Sequence, residues 1–599
     1  MKIIKYIGIL VLSITVLSCN DKAKQYEDIK YNDYLLSKVD SLESKIDDLI
    51  KNVEVGRDSI TIRNAFIKSR LAYKEIEWAV SYFLPHTSKA INGPALDQLD
   101  LDENKFIPAE GFQVVEEYLY PIFASSQEKD LLLDSKRLKN FAHTMRKNFE
   151  VITISDALVL EALKMEVFQI TALGITGFDT PGSKLQFVEA TASLQGVKNV
   201  LTLSKKWGDK ESVQQLTVLL DKAIEICKQN PSKTTFDYLE FITTYLDPVS
   251  KGIVELQKEL GIPFNDGNQV VKGSVASLFD ENAVNLNAFL PDSTYYLTPA
   301  KVALGKELFF DNKLSKDGVR SCADCHHSDK AYSDGLKTAL DLKGKPLQRN
   351  TPSLNYAAYY HGQFWDMRSV TLESQSSDVI TNKDEMHGDL KEIVEHLNKT
   401  NHYKKKFETV YKSDKDIEVW QLENALASFI RSLSVFNSRF DQYMRGDKMA
   451  INEQEKRGFN LFVGKAQCAT CHFMPLFNGT VPPYFTNSEQ EVLGVPADKG
   501  GKMLDADLGR FVYNTDLAQL KYSFKTPTVR NIGESGPYMH NGVYETLEEV
   551  MDFYNKGGGL GLGLKVDSQT LPEDKLELTT QEIGDIVAFM KALSDQSKK

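Results

Sequence analysis

Apolar positions near the start of the chain repeat with a helical period. In YLLSKVDSLESKIDDLIKN, Leu35, Val39, Leu42, Ile46 and Leu49 recur at alternating spacings of four and three. That puts them in one stripe on a helix, the pattern of a coiled-coil seam. The same period runs through RNAFIKSRLAYKEIEWAVSYF, SDALVLEALKMEVFQIT and ESVQQLTVLLDKAIEICKQ, and Pro231 and Pro248 punctuate the end of this region. GIPFNDGNQVVKGSVASLF then breaks the pattern; rich in Gly, Asn and Ser, it reads as a linker. The helical region carries no cysteine pair. Its Cys227 falls on an apolar helical face, as a buried free thiol does, and His86 and His143 stand alone.

Length and composition add little beyond scale. The 599 residues predict three or four units of about 150 residues each. An apolar content of 42% supports real cores, and a net charge of −12 argues against nucleic acid as a partner.

The chemistry is concentrated in two short stretches. SCADCHHSDK begins at Ser321 and QCATCHFMPL at Gln467. Cys322, Cys325, Cys468 and Cys471 are four of only six cysteines, and each pair is followed directly by a histidine, His326 or His472. Cys-x-x-Cys-His marks covalent attachment of a c-type haem, two thioethers holding the macrocycle and the histidine binding iron. A zinc site built from both pairs would not require a histidine after each, and so few cysteines make no disulfide framework.

The N-terminus fits that chemistry. Lys2 and Lys5 precede an apolar run from Ile7 to Leu17, too short to span a bilayer, which reads as a secretory signal. The run ends at Ser18-Cys19, similar to a bacterial lipoprotein cleavage box, with Cys19 as the lipidated residue. The expected location is exported, periplasm-facing or on the outer membrane.

From about residue 290 to the end, the chain resembles bacterial di-haem cytochrome c peroxidases and their relative MauG. The motifs that carry the resemblance, in order, are LGKELFFDNKLS, CADCH, RNTPSLNYAAYY, FWDMRSVTLESQ, DEMHG, CATCH, FKTPTVRNI, GPYMHNG and TLEEVMDFYNKGG. It implies a catalytic acid/base at Glu385 with Gln375 as its amide partner, and an inter-haem tryptophan at Trp365. It also implies a calcium ion held by the Asn350 side chain and the carbonyls of Ser535 and Pro537, a set of oxygens that suits calcium. Within the N-terminal region, AINGPALDQLDL and EGFQVVEEYLYP resemble the imelysin family. There Gln113 stands in place of the histidine of that family's Gly-x-His-x-x-Glu motif, which here runs Gly111, Gln113, Glu116.

Departures from the peroxidase pattern shape the expectation. Many members carry a histidine in the loop after the first motif that caps the open iron position until the partner haem is reduced. Here the corresponding position falls near Leu342; His327 is badly placed, and His361 and His387 lie further on. For the second haem, the distal ligand position falls on Tyr554, as in MauG, with Met551 one helical turn away as the alternative. Against a MauG reading, Val379 replaces a usual proline. The expected fold is mainly α: a lipoprotein-type signal at 1–18, an imelysin-like helical domain at 19–265, a linker at 266–295, a peroxidatic haem domain at 296–450 and an electron-transfer haem domain at 451–599. The expected activity is peroxide reduction with electrons from a small cytochrome c or copper protein. The alternatives are a MauG-like oxidase and a non-catalytic electron-transfer protein. A membrane contact through the lipid anchor and a homodimer complete the expected partners.

Overall fold

A computed structural model describes residues 31–100 and 105–596; Cys19 and the signal segment lie outside the described residues. The N-terminal region is helical: α1 (Tyr31–Glu54), α2 (Ser59–Lys74), α3 (Glu77–Phe83), α4 (Pro85–Asn92), α5 (Phe112–Leu119), α6 (Glu128–Phe149), α7 (Asp156–Gln169), α8 (Gln186–Leu203), α9 (Glu211–Lys228), α10 (Tyr238–Phe241) and α11 (Asp247–Glu259). A short antiparallel pair, β1 (Gln98–Asp100) and β2 (Lys105–Ile107), sits between α4 and α5. The stripe of Leu35, Val39, Leu42, Ile46 and Leu49 is fully buried where α1 packs on α2 and α6. Asp58 caps α2 by accepting the N–H groups of Ile60 and Thr61. Cys227 is a buried free thiol on α9.

Residues 266–295 form turns and short 3₁₀ segments, yet Val271, Val275, Leu278, Phe279 and Leu290 are buried. The stretch is irregular because its Gly and Asn content favours turns, but its apolar side chains pack it down.

The remainder is α12 (Pro299–Phe309), α13 (Leu372–Thr381), α14 (Leu390–Lys399), α15 (Asn401–Tyr411), α16 (Val419–Arg431), α17 (Arg439–Met444), α18 (Glu453–Val463), α19 (Leu547–Asn555), α20 (Gly558–Gly561) and α21 (Thr580–Ala592). β3 (Gln490–Val492) pairs antiparallel with β4 (Ser523–Lys525). Each Cys-x-x-Cys-His follows the first helix of a crossing pair. α12 crosses α16 at Gly305, where a Cβ would lie 1.8 Å from the Ala425 carbonyl oxygen. α18 crosses α21 at Gly458, where it would lie 2.0 Å from that of Asp585. Only glycine allows backbones this close.

The core divides unequally. Leu304, Leu308, Leu372, Ile380, Leu422 and Leu426 form a separate core around the first motif. The second motif shares one continuous core with the N-terminal helices, running from α1 to Phe459, Phe477 and Phe589. Phe178 meets Phe473 edge-on at 5.1 Å, and Lys233 donates to Gln467 Oε1 at 2.7 Å. These contacts flank the second motif on both sides. No described helix is long and apolar enough to cross a membrane.

Candidate functional site

The first motif opens with a 3₁₀ turn at Cys322–Asp324, started by a capping box between Ser321 and Asp324. The turn brings the His326 N–H to the Cys322 carbonyl (3.0 Å), which fixes both cysteines and the imidazole on one short arc. His326 Nδ1 lies 2.7 Å from the Tyr332 carbonyl. A carbonyl can only accept, so Nδ1 carries the proton and Nε2 is left for a metal. Burial lowers the His326 pKa and keeps the ring in its neutral, ligating form.

These residues line a cavity of about 600 Å³. Phe309, Leu340, Leu354, Ile380, Leu426 and Ile430 supply apolar walls, and Arg320, Arg368, Gln375, Asn382 and Glu385 supply the polar ones. Two thiols, one neutral imidazole and an apolar slot fit a covalently held haem.

Glu385, Gln375, Trp365 and Asn350 line the same cavity. Thr371 caps α13, which carries Gln375 and ends at Asn382. Asn382 Nδ2 then donates to Glu385 Oε1 at 2.9 Å. Burial, the largest influence, raises the Glu385 pKa; Arg368, Asn382 and Arg320 pull the other way. Asn382, Arg320 and Arg368 were not singled out from the sequence. Asn and Arg in polar loops look like ordinary solvated residues, and only the fold turns them toward Glu385.

His326 is the one histidine in the cavity lining. His361 lies elsewhere, its N–H donating to Ser488 Oγ (2.9 Å) and its Nε2 at 2.5 Å from the Phe485 carbonyl. His387 has its backbone N–H on the Asn382 carbonyl and stands outside the lining, and His327 pairs with Ser333 through its backbone. Leu342 is tied to the Glu385 segment by its N–H, which donates to the Asp384 carbonyl at 3.1 Å.

Trp365 bridges the two halves. Its indole N–H donates to the Asn350 carbonyl (2.9 Å), and its own carbonyl accepts the Lys525 N–H on β4 (2.8 Å). Asn350 is buried; its N–H meets the His540 carbonyl at 2.7 Å and its Nδ2 the Leu336 carbonyl at 2.9 Å. Ser535 and Pro537 lie outside the cavity lining, a few residues before His540.

The second motif repeats the local geometry. Cys468–Thr470 is a 3₁₀ turn, the His472 N–H reaches the Cys468 carbonyl (2.9 Å), and His472 Nδ1 faces the Phe477 carbonyl at 3.3 Å. Burial lowers the His472 pKa to about 4. Tyr554, on α19, has its phenol pKa raised first by burial and then by its neighbours Cys468, Cys471 and Glu491. Met551, one turn earlier, is 3% exposed within the shared core, whereas Tyr554 packs with the small cluster of Val495, Tyr544 and Phe553.

In the N-terminal region, Gln113 Nε2 donates to the Asn92 carbonyl, and Glu116 accepts the N–H groups of Gly182 and Ser183. Among the described residues no three His, Cys, Asp or Glu side chains gather as a metal site.

Residues 299–449 match the family model described as di-haem cytochrome c peroxidase. The chain is 38% identical over 298 residues to the methylamine utilization protein MauG of Methylorubrum extorquens, covering 50% of this chain and 79% of that protein. It is 32% identical over 294 residues to the cytochrome c551 peroxidase of Nitrosomonas europaea, covering 49% and 79%. The crystal structure of a MauG-like protein associated with microbial copper homeostasis matches at 29% identity with a TM-score of 0.45, over 51% of this chain and 92% of that one. The protein belongs to the di-haem cytochrome c peroxidase and MauG family. Membership brings two c-type haems and oxidoreductase chemistry of either the peroxidase or the oxidase kind.

Proposed function

We propose that the protein reduces hydrogen peroxide to water in the cavity at His326, drawing electrons from a small redox protein through the second motif at His472. The observation that carries this reading is Glu385. Its half-buried carboxyl is held by Asn382 on the lining of a cavity that it shares with Cys322, Cys325 and His326. A haem held by Cys322, Cys325 and His326 would supply the redox chemistry for peroxide reduction. Glu385 accepts a proton from the near peroxide oxygen and delivers it to the far one, so that water can leave. Gln375, on the same wall, orients the peroxide by hydrogen bonding. Trp365 relays electrons from the second half, which it touches through Lys525. Two electrons and two protons turn each peroxide into two waters. The test is steady-state peroxide consumption with a reduced cytochrome c or copper protein; a haem-loaded protein that consumes no peroxide above the rate of a Glu385→Gln variant contradicts the reading.

A second reading, oxidation of another protein or small molecule in the manner suggested by the MauG relatives, is favoured by Tyr554. Its phenol interacts electrostatically with Cys468 and Cys471, and a tyrosinate ligand at that haem would lower its potential. We also propose that Cys19 anchors an exported protein to a membrane by lipid, testable by mass spectrometry of the mature N-terminus. Calcium would be held by Asn350 with the carbonyls of Ser535 and Pro537, and metal analysis before and after chelation tests it.

A further inference from the structure

Arg320 lies two residues before Cys322, and main-chain carbonyls hold its guanidinium. Nη1 donates to the carbonyls of Leu340 (3.0 Å) and Glu385 (3.1 Å), and Nη2 to that of Asp341 (2.8 Å). The loop it grips is itself closed. The Asp341 N–H reaches the Lys345 carbonyl (2.8 Å), the Leu347 N–H the Ala339 carbonyl (2.7 Å) and the Ala339 N–H the Arg349 carbonyl (3.0 Å). The Asp341 carboxylate accepts the N–H groups of Lys343 and Lys345, both at 2.8 Å. The Gly344 N–H reaches the Asp341 carbonyl, and the Leu342 N–H that of Asp384. Every amide from 341 to 345 is therefore bonded, and the loop is fastened twice to the segment bearing Glu385. Ala339, Leu340, Leu347 and Arg349 of this loop line the His326 cavity.

We infer that Arg320 is a positioning residue that locks this loop and the Glu385 segment into one rigid wall of the cavity, fixing Glu385 on its lining. The inference rests on the peroxide reading of that cavity. A guanidinium can serve three carbonyls at once because its N–H groups form a fixed planar fork, whereas a lysine ammonium on its flexible stem is not held in that geometry. Bonds to a charged donor are the stronger class, and opening the loop would strand a half-buried guanidinium with unmade bonds. The wall is thereby preset. A site that must first open binds only in the fraction of time it is open, and this one avoids that loss.

The test uses the haem-loaded full chain and hydrogen exchange read by mass spectrometry. In the unaltered protein, amides 341–345 are expected to be protected like those of α16. Arg320→Lys and Arg320→Met should raise their exchange about tenfold or more, the scale of one lost charge-assisted contact, leaving α16 unchanged. In the same variants kcat for peroxide should fall more than KM changes, and the high-spin electron paramagnetic resonance signal of the His326 haem should broaden. If the loop in the unaltered protein exchanges like an unfolded segment, the clamp does not exist. If Arg320→Lys keeps both haems and leaves loop exchange or turnover unchanged, Arg320 does not position Glu385. Should the unaltered protein fail to turn over peroxide while the exchange result holds, the peroxide reading falls and the clamp stands.

Discussion

At the residue scale, function turns on how the fold changes the properties of single groups. Burial lifts the Glu385 pKa, so its carboxylate, the form that takes the peroxide proton, is lost at a higher pH than in an ordinary carboxyl. Peroxide turnover should therefore fall on acidification with a midpoint above about 4.3, the unperturbed glutamate value. The Glu385→Gln variant should keep both haem spectra, lose that acid limb and fall at least about 10²-fold in turnover, the scale of a positioned proton-transfer group. A pH–rate profile of both proteins checks this. Trp365→Phe should leave peroxide uptake intact and slow electron transfer between the haems, because it removes the indole N–H that holds the Asn350 carbonyl. Stopped-flow reduction after peroxide addition reads that directly. The cysteine pairs and their histidines stand out as short motifs, because attachment chemistry demands fixed residues at fixed spacing, whereas Glu385 came only from the family resemblance. Arg320 and Asn382 do not stand out, because their partners lie 65 and three residues away and their roles depend on where loops fold.

At the element scale, α19 carries both proposed ligands of the second haem, Tyr554 and Met551. The two stand one turn apart, and packing separates them: Met551 belongs to the shared core, whereas Tyr554 packs with Val495, Tyr544 and Phe553. Tyr554→Phe should shift the spectrum and raise the potential of the second haem, and Met551→Leu should leave both unchanged. A changed low-spin spectrum in Met551→Leu would move the ligand to Met551. The helical stripes of α1 and α9 were readable because a face buried against a neighbour imposes its period on the sequence. The helical pattern through residues 63–83 hid a break at Glu75–Ile76 between α2 and α3, since apolar spacing continues across it. The crossings at Gly305 and Gly458 leave only two isolated glycines as a trace. Gly305→Ala should cost about 1–3 kcal/mol by forcing α12 off α16, measurable by denaturant unfolding.

At the scale of the whole molecule, the N-terminal helices and the second motif form one body. The contacts that join them, such as Lys233 with Gln467 and Phe178 with Phe473, link residues more than two hundred positions apart. No local pattern encodes such a contact, so the sequence showed a helical region and a haem region without their union. Elements sharing a core unfold cooperatively. Protection of α1–α11 against hydrogen exchange and the spectrum of the second haem should thus be lost in a single thermal transition, which Phe178→Ala should lower; loss of α1–α11 well before that spectrum changes would contradict a common core.

On the proposed reading the cavity at His326 is open and preset for peroxide, because among the described residues His326 itself is the one histidine in its lining. Electron paramagnetic resonance of the fully oxidised, haem-loaded protein tests it most directly. One high-spin and one low-spin haem are expected, with peroxide perturbing the high-spin signal within seconds and without prior reduction. Two low-spin signals, with peroxide reactivity gained only after half-reduction, would contradict it.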